Sequence, residues 1–236
     1  MFSRTADLYD LIYRQFKDYR AEARIVAGLV RELHPTGRSI LDAGCGTGEH
    51  AKFLAEDHGY TVDGFDIDPG FVEIASRKVP SGRFSVADMA AVDLGTRYDA
   101  VVSLFSSIGY LVTPERVTAA LACFRRHLQP GGVVLVEPWM EPADFHAGKV
   151  YTKLAESAQV SVCRMSHSEV RGRVSRLTFE YLIGRPGQGL VREREIHELG
   201  LLTREEMLAC FQAAGLEARY RPDGLADRGL YVGMVG

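Results

Sequence analysis

Apolar positions recur at alternating helical and strand periods through residues 1–138 of the 236-residue chain. From Asp18 to Leu33, the four-residue steps Ala21, Ile25, Leu29 and Leu33 predict an amphipathic helix with that stripe turned inward. His34-Pro35 and Gly37 stop it. Arg38 to Asp42 then reads as a buried strand entering Gly44-Cys45-Gly46-Thr47-Gly48, and EHAKFLAEDHG resumes helical spacing. A second strand, Tyr60 to Ile67, is followed by Asp68-Pro69, an N-cap and a first-turn proline for the helix PGFVEIASRK. Strands at Arg83–Val86 and Tyr98–Leu104, a helix at Pro114–Leu128, a turn at Gln129-Pro130-Gly131-Gly132 and a strand at Val133–Glu137 complete the series. Strands alternating with helices predict an α/β fold with a doubly wound, mostly parallel sheet.

The pattern changes after Pro138. Between Val150 and Leu202 the runs YTKLAE, QVSVCRMSH, RVSRLTFEYLIG and LVREREIHELGLL, with turns at Arg171-Gly172 and Pro186–Gly189, predict hairpins. They form an antiparallel β insert after the fifth strand, covering one end of the sheet. Thr203 and Glu206 are spaced as a capping box for REEMLACFQAAG, which Gly215 closes, and LEARYRP and RGLYVGMVG predict an edge hairpin. The expected organisation is a single domain over 1–236. It comprises an N-terminal helical cap at 1–37, a core at 38–138, a lid at 150–202, and a C-terminal helix and hairpin at 203–236.

Charge narrows the range of partners. Twenty-eight basic and 31 acidic residues give a net charge of -3, which predicts no nucleic-acid or membrane partner and makes a small molecule the default. The longest apolar stretch, Ala100 to Val112, falls short of the roughly 18 residues of a membrane span, and MFSRTADLYDLIYRQF lacks a signal-peptide core. Four dispersed cysteines without a CxxC pair suggest neither a zinc site nor a disulfide scaffold. A cytoplasmic protein with reduced thiols is expected.

Ligands of open parallel sheets bind beyond the carboxyl ends of the strands, where the strand order reverses. Gly44, Gly46 and Gly48 lie there and permit close backbone approach. Asp66, at the second strand's end, suits the two hydroxyls of a ribose, and Asp88, at the third strand's end, suits an exocyclic amine such as adenine's. A glycine loop alone fits any tight strand-to-helix turn; with these two acids it describes an adenosine pocket. The spacing is GxGxG rather than GxGxxG, and no GxxxxGK[ST] cradles a triphosphate. Trp139, just past a strand end, is expected to wall the cleft. Cys45 reads as a packing residue, His127 as a helix-end residue near the dipole, and Arg171, Arg173 and Arg176 as a solvated face.

LDAGCGTG, DGFDID and VADM, between about Arg38 and Pro138, resemble the class I S-adenosylmethionine-dependent methyltransferases. DLYDLIY, KDY, VVSLFSSIGYL, GGVVLVEPW, RMSHS and DRGLYVG extend the resemblance to the N,N-dimethyltransferases of nucleotide-linked amino-deoxysugars. The chain departs from that pattern in three places. Ala43-Gly44 stands where relatives often carry Val-Ala, Asp66 replaces a glutamate, and Met140 replaces a second tryptophan.

The resemblance implies S-adenosylmethionine as cofactor, S-adenosylhomocysteine as product and no metal. It assigns the cofactor to Ala43, Gly44, Gly46, Asp66, Ile67, Asp88, Met89 and Leu104, with Tyr9 and Tyr19 closing over it. A tyrosine face also attracts a sulfonium cation, although plain helix packing accounts for both tyrosines as well. Tyr110 and Glu137 are the groups to orient the acceptor amine or take its proton. Trp139, His167, Glu180, His197 and Arg228 are the substrate candidates, Arg228 for a diphosphate. Strand alternation equally allows His167 and His197 to face water. The implied reaction is displacement of the methyl group by an uncharged nitrogen, for which the protein aligns the reactants and excludes water. Other readings are a methyltransferase of a different small metabolite, a nicotinamide-dependent oxidoreductase and a non-catalytic nucleoside-binding protein. A homodimer is compatible with the sequence.

Overall fold

A computed structural model describes residues 5–225 and 228–235. Met1 to Arg4, Ala226, Asp227 and Gly236 lie outside the described residues, and with them the first residue of DRGLYVG and the end of the last expected strand.

Two helices, α1 (Ala6–Tyr13) and α2 (Tyr19–Leu33), precede the alternating series β1 (Ser39–Ala43), α3 (Glu49–Glu56), β2 (Thr61–Asp66), α4 (Pro69–Lys78), β3 (Phe84–Val86), β4 (Tyr98–Ser103), α5 (Pro114–Arg126) and β5 (Leu128–Val136). Four long strands follow, β6 (Val150–Glu156), β7 (Ser161–Arg171), β8 (Val174–Arg185) and β9 (Gly189–Gly200), then α6 (Arg204–Ala213), β10 (Leu216–Leu225) and β11 (Gly229–Val235). The first sheet has the order β10-β11-β5-β4-β1-β2-β3; β1 to β5 are parallel, and β11 and β10 close one edge antiparallel. The second is the antiparallel meander β6-β7-β8-β9. The expected α/β architecture with an antiparallel insert is therefore present.

Local chemistry sets the element ends. Asp68 caps α4 by accepting from the Gly70 and Phe71 amides, with Pro69 at the first helical position, and Thr203 and Glu206 form the reciprocal capping box of α6. Two expectations need correction. The buried face of α2 is Ala23, Val26, Ala27, Leu29 and Val30, so Leu29 of the expected stripe is buried while Ile25 is exposed; a stripe at strict four-residue steps drifts around a helix of 3.6 residues per turn. Gln129 to Gly132 is not a separate turn but a register slip inside β5, between the pairs Tyr98–Leu128 and Ala100–Val133.

Two apolar clusters cover the faces of the parallel sheet, one under α5 and α6 and the other under α2 and α3. A third joins Leu8, Ile12 and Tyr13 of α1 to Val162, Phe179, Tyr181 and Ile183 on the inner face of the second sheet. That third core holds the second sheet over the carboxyl ends of the first. No helix among the described residues is long and apolar enough to cross a membrane.

Candidate functional site

Between the two sheets lies a cavity of about 740 Å³, inside the roughly 300–1,000 Å³ range of ligand pockets. It opens at the switch point between β1 and β4, where the strand order reverses.

The floor is the loop after β1. Gly44 has φ of 77° and Gly46 of 54°, a region L side chains seldom enter. A Cβ on Gly44 would lie 2.7 Å from the Ser107 Cβ, whereas nothing stands within 4 Å of a Cβ position on Gly46. The backbone is bare where a ligand would rest. Asp66 secures the loop: its carboxylate accepts from the Gly46 amide at 2.9 Å and the Asp68 amide at 2.9 Å. Burial raises its pKa, while those two donors pull the other way. Asp88 is likewise engaged, accepting from the Ala90 amide at 2.9 Å and pairing with Arg116 at 2.8 Å. Each carboxylate keeps lone pairs for a further donor. Ile67, Met89 and Leu104 line the same end.

Ala43 does not. Strand alternation turns its side chain, with that of Leu41, into the core under α5 and sends Asp42 into the cavity instead. The sequence reading passed over Asp42. It is 2% exposed, its Oδ2 has no hydrogen-bond partner among the described residues, and burial pushes its pKa up to about 6. An orphaned buried carboxylate beside a bare glycine backbone fits a ligand with an amino group, as the methionyl end of S-adenosylmethionine has.

Tyr9 and Tyr19 both line the cavity. Tyr9 meets Phe71 edge-on at 5.1 Å, and Tyr13 meets Phe105 edge-on at 5.3 Å. The opposite side of α1 is polar. Asp10 accepts from the Thr47 hydroxyl at 2.6 Å and pairs with Lys78 at 2.7 Å, and Glu49 pairs with both Arg14 and Lys78. These contacts fasten α1 to the helix and loop that form the floor.

The acceptor end is built on the turn after β4. Phe105 and Ser106 have φ of 50° and 61°, strained for residues with side chains, and a 3-10 turn at Ser107–Leu111 presents Tyr110 to the cavity. Glu137 holds this strain and does not reach the cavity. It is fully buried, accepts from the Phe105 amide at 2.6 Å and pairs with Arg228 at 3.0 Å, so the structure corrects its expected place beside the substrate. The Arg228 guanidinium also donates to the Ser106 hydroxyl and lies 5.2 Å from the Trp139 ring; both residues line the cavity. The Trp139 indole donates to Ser175 at 2.8 Å, which fixes the wall to the second sheet.

Parity on the second sheet puts His197 on the inner face and both His167 and Glu180 on the outer one. His167 is exposed at the cavity rim. Glu180 points outward, where it pairs with Arg192 and Arg194, and is withdrawn from the site. His197 is buried and is not itself in the wall; its Nδ1 lies 2.9 Å from the Tyr110 hydroxyl. Arg164 is the residue the sequence did not single out. It is 7% exposed, lines the cavity, stacks 5.1 Å from the Tyr13 ring and 4.6 Å from the Phe179 ring, and leaves Nε and Nη1 without hydrogen-bond partners among the described residues. Its place in RMSHS, on an alternating strand, was the only available signal.

Three of the background residues also resolve. His127 is buried with both ring nitrogens engaged, Nε2 with the Leu94 amide at 2.9 Å and Nδ1 with the Cys123 carbonyl at 2.8 Å, so it anchors the helix end to the loop before β4. Arg173 is not merely solvated: it pairs with Glu206 and donates to the Leu201 carbonyl, tying the turn between β7 and β8 to the start of α6. Cys45 is buried and its thiol is pushed well up by burial, as befits packing.

Known proteins match this arrangement along the whole chain. A methyltransferase-domain family model matches residues 40–132. A dTDP-3-amino-3,6-dideoxy-alpha-D-glucopyranose N,N-dimethyltransferase of Streptomyces fradiae is 40% identical over 232 residues, 98% of this chain and 91% of the relative. The crystal structure of Streptomyces venezuelae DesVI superposes with a TM-score of 0.91 at 39% identity, covering 98% of both chains. An amino pentose methyltransferase of Micromonospora echinaspora, solved with S-adenosylmethionine bound, superposes with a TM-score of 0.86 at 35% identity over 97% of both chains. The chain thus belongs to the class I S-adenosylmethionine-dependent methyltransferases.

Proposed function

We propose that this enzyme methylates the amine of a nucleotide-linked amino-deoxysugar. The reading is carried by Arg164, a buried guanidinium with unused donors that the second sheet contributes to the cavity wall. A buried guanidinium with donors left unused is costly, and a diphosphate is the kind of anion that relieves it. Similarity to amino-sugar methyltransferases through the second sheet, and not only through the cofactor core, supports the same conclusion.

In this scheme Gly44, Gly46, Asp66, Ile67, Asp88, Met89 and Leu104 hold S-adenosylmethionine, with Asp42 at its amino group and Tyr9 and Tyr19 over it. When bound, the cofactor supplies an already activated methyl group. The chain's own task is alignment and exclusion of water. Trp139 and His167 border the sugar, Arg164 and Arg228 meet the diphosphate, and Tyr110 accepts a hydrogen bond from the amine. Residues 150–202 serve as the lid of one methyltransferase unit spanning the chain.

The test is a mass-spectrometric screen of nucleoside-diphosphate sugars carrying an amine at C3 or C4. Gain of one or two methyl groups on an amino sugar is expected; methylation of the hydroxyl analogue alone would overturn the assignment. Arg164→Met should raise KM for the nucleotide sugar by roughly 10- to 100-fold, as loss of a charge-assisted pair of about 1.5–3 kcal/mol implies, with S-adenosylhomocysteine affinity unchanged by calorimetry.

We further read the protein as a cytoplasmic homodimer. Its cysteines are unpaired, which suits a reducing compartment. On the outer face of the second sheet Leu154, Met165 and Leu182 are 65%, 48% and 47% exposed, beside Glu180, Arg192 and Arg194. A patch carrying both charge signs can meet its own copy about a two-fold axis. Sedimentation should give a dimer, and Leu182→Arg a monomer.

A further inference from the structure

Behind Tyr110 runs a buried polar chain that alignment of the reactants alone leaves without a role. Alternation along β9 sets Glu195 and His197 on the inner face of the second sheet, 4% and 1% exposed. His197 Nδ1 lies 2.9 Å from the Tyr110 hydroxyl, and its Nε2 lies 3.5 Å from Glu195 Oε2. Glu195 is itself held, accepting from the Tyr181 hydroxyl at 3.1 Å and the Thr5 hydroxyl at 2.8 Å. The Phe179 ring, 4.8 Å from the imidazole, seals the chain on one flank. Among the described residues that hydrogen-bond along this chain, Tyr110 is the one that lines the cavity.

A carboxylate beside Nε2 favours the tautomer protonated there, which leaves Nδ1 as the acceptor for the Tyr110 hydroxyl. The phenol oxygen then offers its lone pairs to the cavity. We infer that His197 and Glu195 are positioning residues that make Tyr110 the relay for the proton shed by the substrate nitrogen. The inference rests on the amine acceptor proposed above. In the step, an N–H bond of the methylated ammonium breaks and its proton joins the Tyr110 oxygen. The Tyr110 O–H proton passes to His197 Nδ1. One proton has moved from nitrogen to imidazole, Tyr110 is unchanged, and the imidazolium faces the Glu195 carboxylate until it returns the proton to solvent.

The groups around the imidazole are consistent with that cycle. Burial holds His197 below its ordinary pKa, so that it waits neutral, and Glu195 opposes that shift. Arg164 from β7 favours the neutral form as well, while Tyr13 from α1, Tyr181 from β8 and Tyr110 itself stay protonated because burial raises each of them.

The decisive experiment is the pH dependence of kcat for wild type, Glu195→Gln, His197→Gln and Tyr110→Phe, with S-adenosylhomocysteine affinity and melting as controls. Each variant should lower kcat by roughly 100-fold with little change in KM, the low end of what a general base contributes. Glu195→Gln should also move the acid limb of the profile to lower pH, since the imidazole loses the charge that raises its pKa. Adding His197→Gln to Tyr110→Phe should cost nothing further, because the two act in series. Unchanged kcat and acid limb in folded Glu195→Gln and His197→Gln, or a rise in KM alone, would overturn the relay.

Nitrogen-15 spectra of the ligand-free protein provide a readout independent of the acceptor. They should show His197 protonated on Nε2 and perturbed by Tyr110→Phe. Protonation on Nδ1, or no response to that substitution, refutes the relay even if an amino sugar is methylated. If none is methylated, the acceptor assignment fails, and the spectra still decide the relay.

Discussion

Asp42→Asn is expected to stabilise the ligand-free protein near neutral pH while weakening its hold on S-adenosylmethionine. Burial raises the Asp42 pKa from 3.8 to about 6, so between those values the folded chain keeps a proton that the unfolded chain releases. Stability therefore falls as pH rises through this window and stays lower above it. The deficit is on the order of 3 kcal/mol at pH 7. A buried asparagine brings its own desolvation cost of about 1–3 kcal/mol, so the net gain expected from melting curves is about 1 kcal/mol near neutral pH and becomes a net loss in acid. Binding shows the complementary effect. In wild type the affinity for S-adenosylhomocysteine should fall about tenfold per pH unit below 6, because the proton competes with the ligand's ammonium group for the same carboxylate. In Asp42→Asn the affinity should be weaker and should lack that pH step. Identical pH profiles in calorimetry would remove Asp42 from the cofactor site.

Gly44→Ala should all but abolish cofactor binding. At φ of 77° a side chain costs about 1–2 kcal/mol, and the new methyl would stand 2.7 Å from the Ser107 Cβ, where overpacking adds about 1–3 kcal/mol. The loop can relieve both only by moving into the space the ligand needs. An affinity loss of about 100-fold is expected by calorimetry, corresponding to about 3 kcal/mol. Gly46→Ala offers a contrast. It carries a similar backbone penalty but meets no protein atom, so it should lose affinity with less effect on melting temperature. Equal melting losses in the two variants would show that the clash with Ser107 is not what makes Gly44 indispensable.

Features governed by local rules were legible in the sequence. Asp68-Pro69, the Thr203–Glu206 box and the alternating strands fixed element type, and the glycines at the end of β1 located the cavity floor. Features set by distant partners were not. Glu137 resembles a catalytic acid at a strand end, yet its partners are Phe105 and Arg228, 32 and 91 residues away, and no local pattern shows that both fall on one buried carboxylate. Glu180 and His197 illustrate the same limit on the second sheet. Alternation separates the faces of each strand but does not say which faces inward; packing against α1 decides that, burying Val162, Phe179 and Tyr181 and turning Glu180 out. Arg164 was missed for that reason as well. Arginine on a strand reads as a surface residue until its neighbours on other elements enclose it.

The N-terminal helix is attached in two different ways, and this sets how ligands enter and leave. Toward the second sheet α1 is joined by a continuous apolar core, whereas toward the glycine loop it is joined by Asp10, Arg14, Glu49 and Lys78. Parting the first contact exposes hydrocarbon; parting the second releases charges that are mostly covered in the closed seam to water and mobile ions, which then solvate and screen them. The weaker seam therefore runs along the cofactor, not along the sugar. Exchange of spent cofactor should quicken as ionic strength rises, with the helix and second sheet swinging away together, so that salt acts on product release rather than on methyl transfer.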